Sequence, residues 1–273
     1  MQAASRVSYA AAVDRLDAMA ADATPAQLTA ISGELRAAAG LLAGQVRLRR
    51  ALSDPARAGA DRVALLRGLL GSQVSDPAKE LLDVLVGGRW SASVELSDAC
   101  EQLAVQALLA AGERAANLTE IEDELFRFGQ TVAGDPELAA ALGDRRVPAQ
   151  QRAKLVESLL SGKASEVTVQ AATMALGGLG GRSFQNALTW LVEQAAARRD
   201  RSVAYVTVAT PLSEEQERRL GEALSARYGR DVSVKTTVDP RVLGGARVQV
   251  GADLYDGTVA HRLTQARNAL ASG

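Results

Sequence analysis

Leu28-Thr29-Ala30-Ile31-Ser32-Gly33-Glu34-Leu35 and Leu118-Thr119-Glu120-Ile121-Glu122-Asp123-Glu124-Leu125 lie 90 residues apart and agree at five of their eight positions. Carried outward, the same offset lays Leu28 to Ser75 over Leu118 to Ser165 without a gap, with 16 of 48 positions identical. The pairs include Leu48 with Leu138, Leu52 with Leu142, Asp54 with Asp144 and Arg62 with Arg152. Most are apolar, as expected of two units that keep the same core positions. The chain therefore reads as an internal duplication, with a first helical bundle over residues 1–110, a second over 111–200, and a different module over 201–273.

Both copies carry apolar residues at a period near 3.6, the mark of helices with one buried face. In the first the stripes are Tyr9, Val13, Leu16, then Leu28, Ile31, Leu35, Leu42, then Val63, Leu66, Leu70, then Leu82, Leu85, Val86. In the second they are Leu125, Phe128, Val132, then Leu155, Leu159, then Leu188, Leu191, Val192, Ala195. Breaks fall at Thr24-Pro25, Ser53-Asp54-Pro55, Asp76-Pro77, Gly87-Gly88, Gly134-Asp135-Pro136 and Gly177-Gly178. In most of these a capping side chain precedes proline, which suits the first helical turn because its missing N–H has no intrahelical partner there.

After Arg201 the period changes. Val232, Val234, Thr236 and Val238 alternate with polar residues, as do Ala246, Val248 and Val250, which is the two-residue rhythm of half-buried strands. A further strand is predicted at Val203 to Ala209. Between them Ser213-Glu214-Glu215-Gln216 fits a capping box that opens a helix closed by Tyr228-Gly229. A last helix would carry Val259, Leu263, Ala266 and Leu270 on one side. The fold class is thus mainly α: two tandem bundles followed by a small α/β module of order βαββα.

The 273 residues are 47% apolar, enough for real cores, and 31 basic against 32 acidic residues leave no field to attract nucleic acid. No run approaches the ~18 apolar residues of a membrane span, and Met1 to Ala20 carries Arg6, Asp14, Arg15 and Asp17 rather than an apolar leader. A soluble intracellular protein, docked on something membrane-bound if at all, is expected. Cys100, the one cysteine, sits in a helical apolar run with Leu96, Leu103 and Ala107 and reads as a buried, inert thiol.

Catalytic material is scarce. Gly177-Gly178-Leu179-Gly180-Gly181-Arg182-Ser183 suggests a phosphate cradle but lacks the Gly-Lys-Ser/Thr ending of a P-loop, so a flexible interhelical loop is the better reading. His261, the one histidine, has no partner ligands nearby for a metal, and one His with one Cys and no Gly-x-Ser-x-Gly elbow leave little for nucleophilic catalysis. No catalytic residue, cofactor or metal is expected. Glu120, Glu122, Asp123 and Glu124 read as the solvated start of a helix, and Arg198-Arg199-Asp200-Arg201 as a solvated helix end, with contact to an acidic partner as the alternative. Trp90 and Trp190 read as core filling, with partner anchoring as the alternative. Gly244, Gly245 and Gly257 are assigned to turns that need φ > 0, with Asp256-Gly257 a tight turn.

Several short motifs occur in one order: Tyr9-Ala10-Ala11-Ala12, Thr210-Pro211-Leu212-Ser213-Glu214-Glu215-Gln216, Leu243-Gly244-Gly245, Asp256-Gly257 and a closing helix. Together they resemble the delta subunit of bacterial ATP synthases, related to the mitochondrial oligomycin-sensitivity-conferring protein. The duplicated helical part resembles the actinobacterial type. The resemblance implies a non-catalytic connector in the peripheral stalk, on the cytoplasmic face of the cell membrane. Its helical part would bind the N-terminal segments of the alpha subunits, and its C-terminal module the distal end of subunit b. Tyr9, Val13 and Leu16 are the candidate lining of a groove for a partner's amphipathic helix. A free-standing helical adaptor or regulatory scaffold is the alternative; an enzyme lacks a supporting constellation.

Overall fold

The structure, a computed structural model, describes residues 1–71, 73–201, 203–229, 232–239, 241–250 and 253–259. Among them it forms two compact units, Met1–Ala196 and Ala197–Gly273. The helices, continued by α11 to Arg201, are α1 (Ala3–Ala20), α2 (Pro25–Gly44), α3 (Val46–Leu52), α4 (Gly59–Leu70), α5 (Asp76–Gly87), α6 (Ser93–Arg114), α7 (Leu118–Gly134), α8 (Pro136–Gly143), α9 (Ala149–Leu160), α10 (Glu166–Ala175) and α11 (Phe184–Arg201).

Local chemistry sets these boundaries. Thr24 caps α2 in a full capping box with Gln27, with Pro25 in the first turn. Asp135 accepts from the Glu137 and Leu138 amides and Pro136 opens α8. Each cap satisfies amide groups that have no partner inside the helix.

The core of the helical unit is built around α6. Its residues from Leu103 to Gly112 are all buried, and it packs against α1, α2, α3 and α5 from before it in the chain and α7 and α10 from after it. A helix apolar on one stripe can cover one neighbour, whereas one buried all round must be enclosed. The expected division after residue 110 falls inside this helix. Each fully buried leucine of α6, such as Leu96, Leu103, Leu108 and Leu109, contributes about 1.5–3 kcal/mol relative to exposure.

The 90-residue offset carries over to element bounds. Shifted by it, α2 to α5 fall on α7 to α10 to within three residues at either end. The same shift moves α1 onto α6, and α6 onto α11. Side-chain detail follows. Ser75 N–H and Oγ donate to Glu34 Oε2 at 3.2 and 2.6 Å, and Ser165 makes the same bonds to Glu124 at 3.0 and 2.9 Å. One stripe differs from expectation: on α9 the core positions are Val156 and Leu160, while Leu155 and Leu159 are half-buried at its margin.

The second unit contains β1 (Val203–Val208), α12 (Glu214–Tyr228), β2 (Ser233–Val238), β3 (Ala246–Val250) and β4 (Asp253–Asp256), in sheet order β2-β1-β3-β4. β1 pairs parallel with β2 (Val206 opposite Thr236) and antiparallel with β3 (Val206 opposite Val248). Ala204, Val206, Val208, Val248 and Val250 face Leu224 of α12, so the predicted alternation holds. Ser213 and Gln216 form the expected capping box, and Gly229 closes α12 at φ 64°.

The expected βαββα order is corrected by β4, which pairs antiparallel with β3 where a turn alone was expected. Leu263, Ala266 and Leu270 of the expected last helix, and His261, lie outside the described residues.

Candidate functional site

The three candidate groove residues all lie on α1. Leu16 is fully buried, Val13 is 7% exposed, and Tyr9 is half-buried at the margin of the core. Two of the three candidate groove residues thus pack inward. The outward strip of α1 is carried instead by Val7, 72% exposed, and Ala11.

α1 is held along one seam to α5, to the connection that follows it and to the start of α6. Ser8 Oγ donates to the Arg89 carbonyl at 2.8 Å and accepts from the Arg89 amide, while Ser5 Oγ donates to Glu95 at 2.6 Å. A Cβ at Gly88 would lie 2.6 Å from Ser8 Cβ, so glycine is what lets the helix end meet α1. Farther along, Arg15 pairs with Glu80 at 2.6 Å across the seam. Val84 lies half-buried on α5.

The other sequence candidates resolve into structure. Cys100 is fully buried, its Sγ donating to the Leu35 carbonyl at 3.3 Å, and burial pushes its thiol up to about 12. The glycine stretch does contain left-handed residues, Gly178, Gly180 and Gly181. Its Gly180 amide is bound at 2.7 Å by Glu101, a carboxylate of this same chain, as the acceptor. An internal carboxylate thus occupies an amide that a phosphate would need.

Two expectations of solvated charge are corrected. Glu124 is 7% exposed and accepts from Ser165 and Thr168, because α7 turns its acidic residue toward the start of α10. Arg198 is 1% exposed rather than a solvated helix end. Trp90 is core filling: 6% exposed, its indole N–H donates to the Leu85 carbonyl at 2.8 Å. Trp190 is half-buried under the Arg182 guanidinium, 4.9 Å from its ring centroid. No group of three or more metal-ligating side chains exists among the described residues.

In the second unit Gly244 and Gly245 take φ 87° and 80°, the conformations assigned to them. Gly257, assigned to a turn of positive φ, is not among the residues that adopt it; a Cβ there would lie 3.2 Å from the Ala246 carbonyl oxygen, a tight contact. Asp256 ends β4 and accepts from the Thr258 hydroxyl at 2.6 Å and amide at 3.0 Å. On the surface, Tyr228 donates to Asp253 at 2.9 Å and lies 2.9 Å from the Tyr255 hydroxyl, and burial followed by these bonds raises its phenol. Leu243 and Leu254 stand 70% and 59% exposed.

The described residues thus present a buried thiol, a glycine loop with one amide held by Glu101, and apolar strips on two separately packed units. The class is that of a mainly helical protein with a small α/β module. A profile of the family "ATP synthase delta (OSCP) subunit" matches residues 105–270, and the chain belongs to that family. It is 60% identical to the ATP synthase subunit delta of Salinispora arenicola, over 99% of both chains. Against the subunit delta of Streptomyces avermitilis identity is 46% over 98% of each, and against that of Streptomyces coelicolor 44% over 100% of this chain and 99% of the relative. As a delta subunit it is a non-catalytic, peripheral-stalk component of F-type ATP synthase and binds other subunits of that complex. No helix among the described residues is long and apolar enough to cross a membrane. The free-standing adaptor is set aside.

Proposed function

We propose that this chain ties the catalytic head to the distal end of subunit b, at the cytoplasmic face of the cell membrane, and resists the torque of the rotor. The helical unit takes the N-terminal segments of the alpha subunits and the C-terminal module takes b. The single observation behind this reading is family membership, supported by relatives matched over nearly the whole chain.

We propose further that the helical unit is an overlapping duplication, α1–α6 followed by α6–α11, with α6 the last helix of one copy and the first of the next. The family match begins at residue 105, within α6, so α1–α5 are the part that precedes it. The supporting features are the common element bounds and the paired Glu34–Ser75 and Glu124–Ser165 bonds.

The docking face for an alpha segment lies on the outward side of α1, with Val7 and Ala11 on its exposed strip. An amphipathic helix laid there covers apolar surface that α1 leaves exposed. Immobilised full-length chain is expected to retain both the alpha-containing head and the soluble part of b. Val7→Asp should weaken the head about tenfold and leave b unchanged. Retention of neither partner would overturn the connector reading.

A further inference from the structure

Three arginines meet where the α8–α9 and α10–α11 connections come together. Arg145, Arg152, Gly178, Gly181, Arg182 and Ser183 line a pocket of about 330 Å³. Arg152 is 7% exposed and spends its donors on carbonyls: Nε on Val147 at 3.2 Å, Nη1 on Leu142 at 2.9 Å and on Leu176 at 3.4 Å. Arg145 Nη2 donates to the Arg182 carbonyl at 3.0 Å, and Arg182 Nη1 to the Leu179 carbonyl at 2.5 Å. A guanidinium carries five N–H donors, so Arg145 and Arg182 each keep donors beyond these. Among the described residues none of the three has a carboxylate within ion-pair distance.

The backbone adds to this charge. Ser183 precedes the 18-residue α11 and accepts from its Asn186 amide at 3.3 Å, so the positive end of the helix dipole faces the pocket with the Phe184 and Gln185 amides still outside the intrahelical ladder. Gly181, at φ 82°, has nothing within 4 Å of where a Cβ would stand.

The chain contains its own control. Ninety residues earlier the buried arginine recurs as Arg62, donating to the Gly87 and Gly88 carbonyls, so both halves use it for packing. The positions of Arg145 and Arg182, by contrast, are occupied there by Pro55 and Ala92. The helical arrangement is built without them. Arg182 lies within electrostatic reach of Glu101 and Asp98, and Arg152 of Asp144, without an ion pair to any of them.

We infer that this pocket binds a small oxyanion, a phosphate or a carboxylate, through Arg145, Arg182 and the start of α11. The site is independent of the stalk contacts proposed above. Two Arg forks suit such an ion because each presents parallel N–H groups to paired oxygens.

The test titrates inorganic phosphate, and separately acetate, into the full-length chain by calorimetry at constant ionic strength. Saturable binding at about millimolar concentration is expected for one of them, and the combined Arg145→Gln and Arg182→Gln changes should weaken it about tenfold or more. Phosphate alone binding assigns a phosphate site; acetate alone assigns a carboxylate site. Arg146→Gln removes the same charge from a side chain already paired with Asp144 at 2.8 Å, and should leave binding intact. Circular dichroism reports folding, and the exposed Arg145→Gln alone serves if the double variant does not fold. No saturable binding of either ion, or an equal loss in Arg146→Gln, overturns the inference.

Discussion

Ser165 gives both its amide and its hydroxyl to the carboxylate of Glu124, at 3.0 Å from each oxygen and 2.9 Å from Oε2 respectively. Thr168 adds its hydroxyl at 2.6 Å, fastening α7 to the first turn of α10. Removing the acceptor leaves buried donors without partners. Glu124→Ala should lower unfolding free energy by about 2–4 kcal/mol and Glu124→Gln by about 1–2, measured by urea denaturation. Glu34→Ala in the first half should cost less, because Ala78 stands where Thr168 stands in the second.

Cys100 reports unfolding. With its thiol pushed up to about 12, by burial first and then by the charge of Glu101, the native thiolate is scarce. Alkylation at mildly alkaline pH should run about a thousandfold slower than in the denatured chain, and its rate should follow global opening. Fast labelling of the native protein would contradict the packing around α6.

Asp256 gives the C-terminal module an acid limit. The Thr258 hydroxyl, then its amide, then Arg247 hold the Asp256 carboxyl at about 2, below its ordinary 3.8. The folded value lies below the unfolded one, so the stabilisation is complete above about pH 4 and is lost as pH falls toward 2. Asp256→Asn should abolish that part of the acid sensitivity, read from resonances of β3 and β4 across a pH titration.

Glycine substitutions should divide by environment. At Gly245 a Cβ would stand 2.5 Å from the Gly257 carbonyl, on a backbone already at φ 80°, so Gly245→Ala should destabilise the module by about 1–3 kcal/mol. Gly129, inside α7 with open space around it, should do the opposite: Gly129→Ala is expected to add about 0.5–1 kcal/mol. Thermal denaturation of the two variants checks both signs.

Helix ends were readable in advance because capping is local: Thr24 with Gln27 and Ser213 with Gln216 need only four residues each. The strands β1 and β3 were readable because one face alternates with the other. β4 was not, since Asp253-Leu254-Tyr255-Asp256 lacks β-branched residues and its polar ends resemble a turn. Burial of Glu124 escaped because its partners Ser165 and Thr168 are some forty residues away in sequence. The same limit applies to α1, where a stripe of Tyr9, Val13 and Leu16 serves a core and a groove equally well until the neighbouring helices are known. The arginine pocket had only one legible part, the glycine stretch, and its charges come from two connections that sequence order separates.

The enclosure of α6 has a mechanical consequence. At 22 residues it is a rod of about 33 Å, gripped along its length by helices from before and after it. Pulling the helical unit from its two ends therefore strains side-chain packing along a continuous strut instead of straightening a slack tether. Stretched with a force probe, that unit should extend little and then yield in one cooperative rupture, like a beam and not like beads on a string.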